Sequence, residues 1–268
     1  MDMQSFFSLL IAATLLAKVP VISQPLVWFE TFFHELSHIL VGLVTHGKVT
    51  ELVLNWNGTG YCMINNGADI PIFLAGYLGA PLWGAWMYSI GKGTMPSQVA
   101  LRRTRMLRIL LIVSAALWVR DSKTFLIMSF LFGVTWVMAL GINHYRIQQF
   151  TRFCGIYVML NALHATVTFE NGKIIAIPYD SINLARVTGL DTSLFVGIWY
   201  VFALLLLLTV AFSSWALNDV RREVLPMPIK RSGNARNRRI PPRLPRPAPC
   251  SVSNSTSNYS HDWSTTRD

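Results

Sequence analysis

LVWFETFFHELSHILVGLV, residues 26–44, sets a zinc-site motif inside a run long and apolar enough to cross a bilayer as a helix. His34, Glu35 and His38 sit at its centre. Ionisable groups at membrane depth are costly to place and mark functional sites. On a helix, His34 and His38 lie one turn apart on one face, so both imidazoles can hold one metal ion. Glu35 then stands beside the metal without ligating it, as a general base acting on metal-held water requires. Spacing and location together predict a membrane-embedded metallohydrolase.

Working outward, the chain of 268 residues is 52% hydrophobic and only 13% charged, about half the charge of an average soluble domain. Its apolar residues fall in long runs. Residues 5–23, 26–44, 70–90, 106–119, 124–142 and 193–213 each read as a span, with 5–23 a retained first span rather than a cleaved signal. Residues 153–169 form a seventh, weaker candidate that carries Asn161 and His164 and reads as distorted or re-entrant. Cys62, Cys154 and Cys250 are scattered and imply neither a disulfide framework nor a thiolate metal site.

The net charge of +10 is concentrated in Lys92–Arg108 and in the segment after the last span. Because these basic runs flank predicted membrane helices, the positive-inside rule accounts for them, and no nucleic-acid partner is expected. Seven crossings place both runs, residues 144–152 and the C-terminal tail in the cytoplasm. The lipid bilayer is the expected surrounding, and the oligomeric state stays open.

Residues 48–66 alternate in polarity around Asn57-Gly58, which predicts a β-hairpin directly after the metal-binding helix. It reads either as a plain surface turn or as an edge strand offered to an extended substrate. Gly76, Ala80 and Gly84 recur every four residues and line one helix face, which reads as a packing seam, with Pro81 able to loosen the helix beside the metal. From about Asn218 the composition turns to Arg, Pro, Ser and Asn, which cannot bury a core and predicts disorder.

Catalytic zinc takes three protein ligands and keeps a position for water, and the motif supplies two. Glu30 is one turn before His34, but three ligands stacked on one helix converge poorly on a tetrahedral ion. His46 is too far along the helix. Asp69, Asp121 and Asp191 lie at span boundaries, where a solvated or capping acid is the default reading. His164 competes from the weak span, and Asp180 reads equally as a ligand or as a helix N-cap ahead of the last span.

The order of features resembles the site-2 protease superfamily of intramembrane zinc proteases, and within it the peptidase M50B-like branch. The resembling residues are Phe33-His34-Glu35-Leu36-Ser37-His38, Gly47-Lys48-Val49, Ala75-Gly76-Tyr77-Leu78-Gly79, Arg152-Phe153-Cys154-Gly155-Ile156-Tyr157, and the run from Asp180 to Gly189. That superfamily completes its zinc site with an aspartate from a later segment, so the resemblance implies a Zn2+ site of His34, His38 and Asp180, with Glu35 as the catalytic base. It implies cleavage of a membrane-protein substrate in or near a transmembrane segment. The alternative is an inactive scaffold or chaperone of the same fold that binds helices. The predicted whole is an all-α, multi-pass membrane protein of six or seven transmembrane helices. Residues 1–216 form the metallopeptidase domain, with a short β-hairpin after the metal-binding helix, and 217–268 form a disordered basic tail.

Overall fold

A computed structural model describes residues 3–92, 96–140, 145–166, 168–170, 173–176 and 178–224, of which 3, 166, 168–170, 173–176 and 215–224 are described as backbone only. The tail from residue 225 onward, predicted to be disordered, lies outside the described residues.

The N-terminal apolar run is not one straight helix. Helix α1 (Met3–Leu16) stops at a break, and α2 (Pro20–Val44) starts with proline at its first position, turned by 111° from α1. Proline suits that position because its missing N–H would have no helical partner there. Strands β1 (Lys48–Leu54) and β2 (Gly60–Asn65) then pair antiparallel. Helices α3 (Asp69–Ile90), α4 (Ser97–Trp118), α5 (Ser122–Leu140) and α6 (Tyr145–Thr166) follow. A second two-stranded sheet, β3 (Thr168–Glu170) with β4 (Lys173–Ala176), leads to the short α7 (Tyr179–Thr188) and the long α8 (Thr192–Val224).

Among the described residues, three helices are long and apolar enough to span a membrane: α3, α5 and the 192–214 stretch of α8. A fourth is added if α1 and α2 form one bent span. The sequence runs suggested six or seven. The difference lies in where charge falls: Arg102, Arg103, Arg105 and Arg108 occupy the first half of α4, and Arg146 and Arg152 the start of α6. Outward faces of the apolar helices fit lipid contact, with Leu126, Trp136, Val201, Leu205 and Phe212 all exposed. The chain is an integral membrane protein.

Helices α2, α3 and α6 form the centre of the bundle. The predicted small-residue seam is where α3 meets its neighbours. A Cβ added at Gly84 would meet Met159 and the Gly155 carbonyl of α6, and one at Gly155 would meet the Tyr88 backbone. Backbones this close leave no room for side chains. Phe32, Phe33, Leu36 and Ile39 of α2 and Ile156, Val158 and Met159 of α6 are fully buried in the same core.

The first hairpin lies against this bundle. Its loop carries Gly58 at φ 86°, a left-handed conformation that glycine adopts freely. The Gly58 carbonyl accepts from Thr31 Oγ1 at 2.6 Å and the Asn55 carbonyl from Trp28 Nε1 at 3.1 Å, so the loop is tied to α2. Leu52 and Leu54 of β1 are buried, and the Leu54 amide donates to Thr124 Oγ1 of α5 at 2.9 Å.

Candidate metal centre

One face of α2 presents His34 and His38, as the four-residue spacing requires. Their rings meet edge to face with centroids 4.7 Å apart, and the two Nε2 atoms are 3.0 Å apart. Asp180 reaches them from α7, 142 residues beyond His38 in the chain. Its Oδ2 lies 3.1 Å from His34 Nε2 and 3.1 Å from His38 Nε2. Two nitrogens and one carboxylate oxygen thus form a nearly equilateral triangle.

Pro178, in extended backbone, occupies the cap position and makes no side-chain cap bond, so Asp180 is not the N-cap. It lies in the first turn with its carboxylate free to face α2. Leu184 anchors α7 by packing in an apolar cluster with Phe195 and Trp199 of α8. Gly189 ends the helix at φ 75°.

The orientation of His38 is fixed from behind. Its Nδ1 donates to the Ile72 carbonyl of α3 at 2.6 Å, and the residue is 5% exposed. With the proton on Nδ1, a neutral His38 turns the Nε2 lone pair toward His34 and Asp180, as metal-ligating histidines do. A lone pair facing a carboxylate oxygen at hydrogen-bond distance is repulsive unless a cation lies between them. Nitrogen and carboxylate donors are those that zinc takes, at about 2 Å each, which requires donor separations near those seen here. The three residues therefore fit a zinc ion.

Gly76 makes room for this cluster. A Cβ at that position would collide with both imidazoles, so the α3 face carrying Gly76 can approach the ligands only because it has no side chain. Next door, Tyr77 sets its ring edge to face with His34 at 4.5 Å and stacks on Trp199 at 4.5 Å.

Glu35 is buried beside the triangle, in a cleft of about 330 Å3 also lined by Tyr61, Cys62, Tyr77 and Asp180. The Cys62 thiol of β2 lines the same cleft as Glu35. Burial first, and then the Glu35 charge, push that thiol well above its ordinary range, so it stays protonated.

The other candidate ligands are elsewhere. Glu30 is buried and accepts from Asn161 Nδ2 of α6 at 3.1 Å, apart from the triangle. His164 is exposed on α6, with Nδ1 against the Leu160 carbonyl at 3.0 Å. Asp121 and Asp191 accept the backbone amides of Thr124 and Ser193 at 2.8 and 2.7 Å, the capping role expected of boundary acids. Asp69 lines the cleft without joining the triangle. His46 stands just past α2 at φ 63°. Sequence reasoning missed the roles of the Ile72 carbonyl, of Cys62 in the cleft wall and of Asn161. Backbone acceptors carry no sequence signature, and the other two partners come from distant segments.

No curated protein and no solved structure matches this chain at a significant level. The model of one protein family does match, over residues 6–210, which takes in the histidine pair, the hairpin, the glycine seam and Asp180. The chain belongs to the peptidase M50B-like family.

Proposed function

We propose that the protein is an intramembrane zinc metalloprotease that hydrolyses peptide bonds in or near a transmembrane segment of another membrane protein. The observation that carries this reading is the convergence of His34, His38 and Asp180 within 3.1 Å, with Glu35 beside them, in an apolar bundle. His34, His38 and Asp180 hold the ion. Zinc bound there supplies a Lewis acid that polarises the scissile carbonyl and lowers the pKa of water.

The chain's own residues do the rest. Glu35 takes a proton from the attacking water and delivers it to the departing amine nitrogen. Cys62, kept protonated in the same cleft, leaves Glu35 as the group there that takes up the proton. The Ile72 carbonyl holds the His38 tautomer, and Tyr77 restricts the rotation of His34. The apolar walls of the bundle limit water to the cleft, which strengthens each of these interactions.

Helices α2, α4 and α6 are read as embedded with the three clear spans, giving the multi-pass arrangement of six or seven crossings. The basic segments 92–108 and 144–152 and the tail are assigned to the cytoplasm by their charge. The reading is tested by comparing membrane-protein fragments in cells carrying wild type or Glu35→Gln. Fragments that appear only with wild type support proteolysis. Identical fragment patterns contradict it and leave an inactive helix-binding scaffold as the better account.

A further inference from the structure

Roughly 20 Å along α3 from Gly76, the end of α3 meets α4, α6 and α8 in a second polar cluster, and this one is positively charged. Lys92, just past the end of α3, donates from Nζ to Ser213 Oγ of α8 at 2.9 Å. Arg103 of α4 donates from Nη1 to Ser89 Oγ of α3. Arg152 of α6 packs its stem against Gly91, where an added Cβ would meet Arg152 Cγ at 2.7 Å. Only 3% of Arg152 is exposed, and its Nε is buried without a hydrogen-bond partner.

Among the described residues, the ion pairs are those of Asp180 with the two histidines. Lys92, Arg103 and Arg152 therefore have no carboxylate partner among them. Burial first, and then the nearby Arg152 charge, hold the Lys92 ammonium below its ordinary value, so the cations feel one another. A buried guanidinium without counter-charge is strongly disfavoured. An anion placed among the three would remove that cost.

The position identifies the anion. The α3 span ends at Ile90, and a 2.7 Å hydrogen bond between the Tyr88 and Ser214 hydroxyls ties its last turn to α8. The cluster thus lies at the end of the α3 span, where that helix would leave the hydrocarbon at the level of lipid headgroups. Guanidinium groups pair with phosphate oxygens through paired N–H bonds, and basic pockets between membrane helices hold anionic headgroups.

We propose that Lys92, Arg103 and Arg152 form a binding site for the phosphate of an anionic phospholipid headgroup, separate from the metal centre. The site ties α3, α4, α6 and α8 together at the end of the bundle remote from the hairpin. It is independent of the proteolytic reading, because it shares no residue with it.

The test uses the full chain purified in a non-ionic detergent, with thermal unfolding followed in added phosphatidylglycerol, phosphatidylcholine or inorganic phosphate. Phosphatidylglycerol is expected to raise the Tm of wild type by about 3 °C or more, with the other two additives inert. Lys92→Gln, which leaves the buried guanidinium in place, is expected to lose most of that shift, and Arg152→Lys part of it. The tail variant Arg238→Gln/Arg239→Gln is expected to keep it. A full shift in Lys92→Gln, loss of the shift in the tail variant, or an equal shift with phosphatidylcholine would overturn the site. An equal shift with inorganic phosphate would overturn the lipid as its source.

Discussion

Gly76 of α3 lies directly against the His38 imidazole of α2, so closely that a single added carbon would collide with it and with His34 as well. The two histidines of the proposed metal site are thus covered by a helix that passes them without a side chain. Substituting Gly76→Ala should displace at least one imidazole. Metal affinity is expected to fall about 10–100-fold, the range seen when ligand support is lost. Zinc content of the purified variant measures this, and full zinc occupancy would show that the seam has no bearing on the site.

Asp180 is the proposed ligand that comes from outside the motif. Asp180→Ala removes one of three donors and should leave zinc at well under half of wild-type occupancy after purification. Asp180→Asn retains the shape but not the charge and should fall between the two. Atomic absorption on the three proteins reads the outcome directly.

Asn161 holds a buried carboxyl. Its amide donates to Glu30, and no other side-chain partner of Glu30 is seen among the described residues. Asn161→Ala would leave a polar group buried and unsatisfied, at a cost of about 1–3 kcal/mol. A lower Tm with zinc content unchanged is the expected result, since Glu30 stands apart from the triangle. Loss of zinc in this variant would bring Glu30 into the metal site.

Where α3 and α6 cross, Gly84 and Gly155 let backbone meet backbone. Gly155→Val should force the helices apart and destabilise the bundle by about 1–3 kcal/mol or more. The substitution Gly133→Ala, at a position with nothing within 4 Å of the added carbon, is the matched control and should unfold with wild type. Equal Tm values for the two variants would argue against the crossing.

Much of this architecture is legible in the chain, and the reasons for the remainder are physical. Helical spacing places His34 and His38 on one face, and Asn57-Gly58 marks the hairpin. Both depend only on local geometry. Lys18 and Pro20 mark the break between α1 and α2, but reading residues 5–23 as one hydrophobic run hides that Pro20 begins the second helix. The glycine repeat in α3 reads as a packing seam, though which groups pack there depends on tertiary structure. Asp180 is the clearest case: composition leaves it balanced between cap and ligand, and only the fold brings it 3.1 Å from both histidines. The β3–β4 pair goes unread because its first strand continues an apolar run that resembles a span.

The central claim joins two quantities in one variant, zinc content and peptide-bond cleavage. Glu35→Gln changes the proposed base without touching a ligand. Purified full-length Glu35→Gln should carry as much zinc as wild type, while membranes containing it should lack the new peptide termini that wild type generates. New termini produced equally by Glu35→Gln would contradict the account.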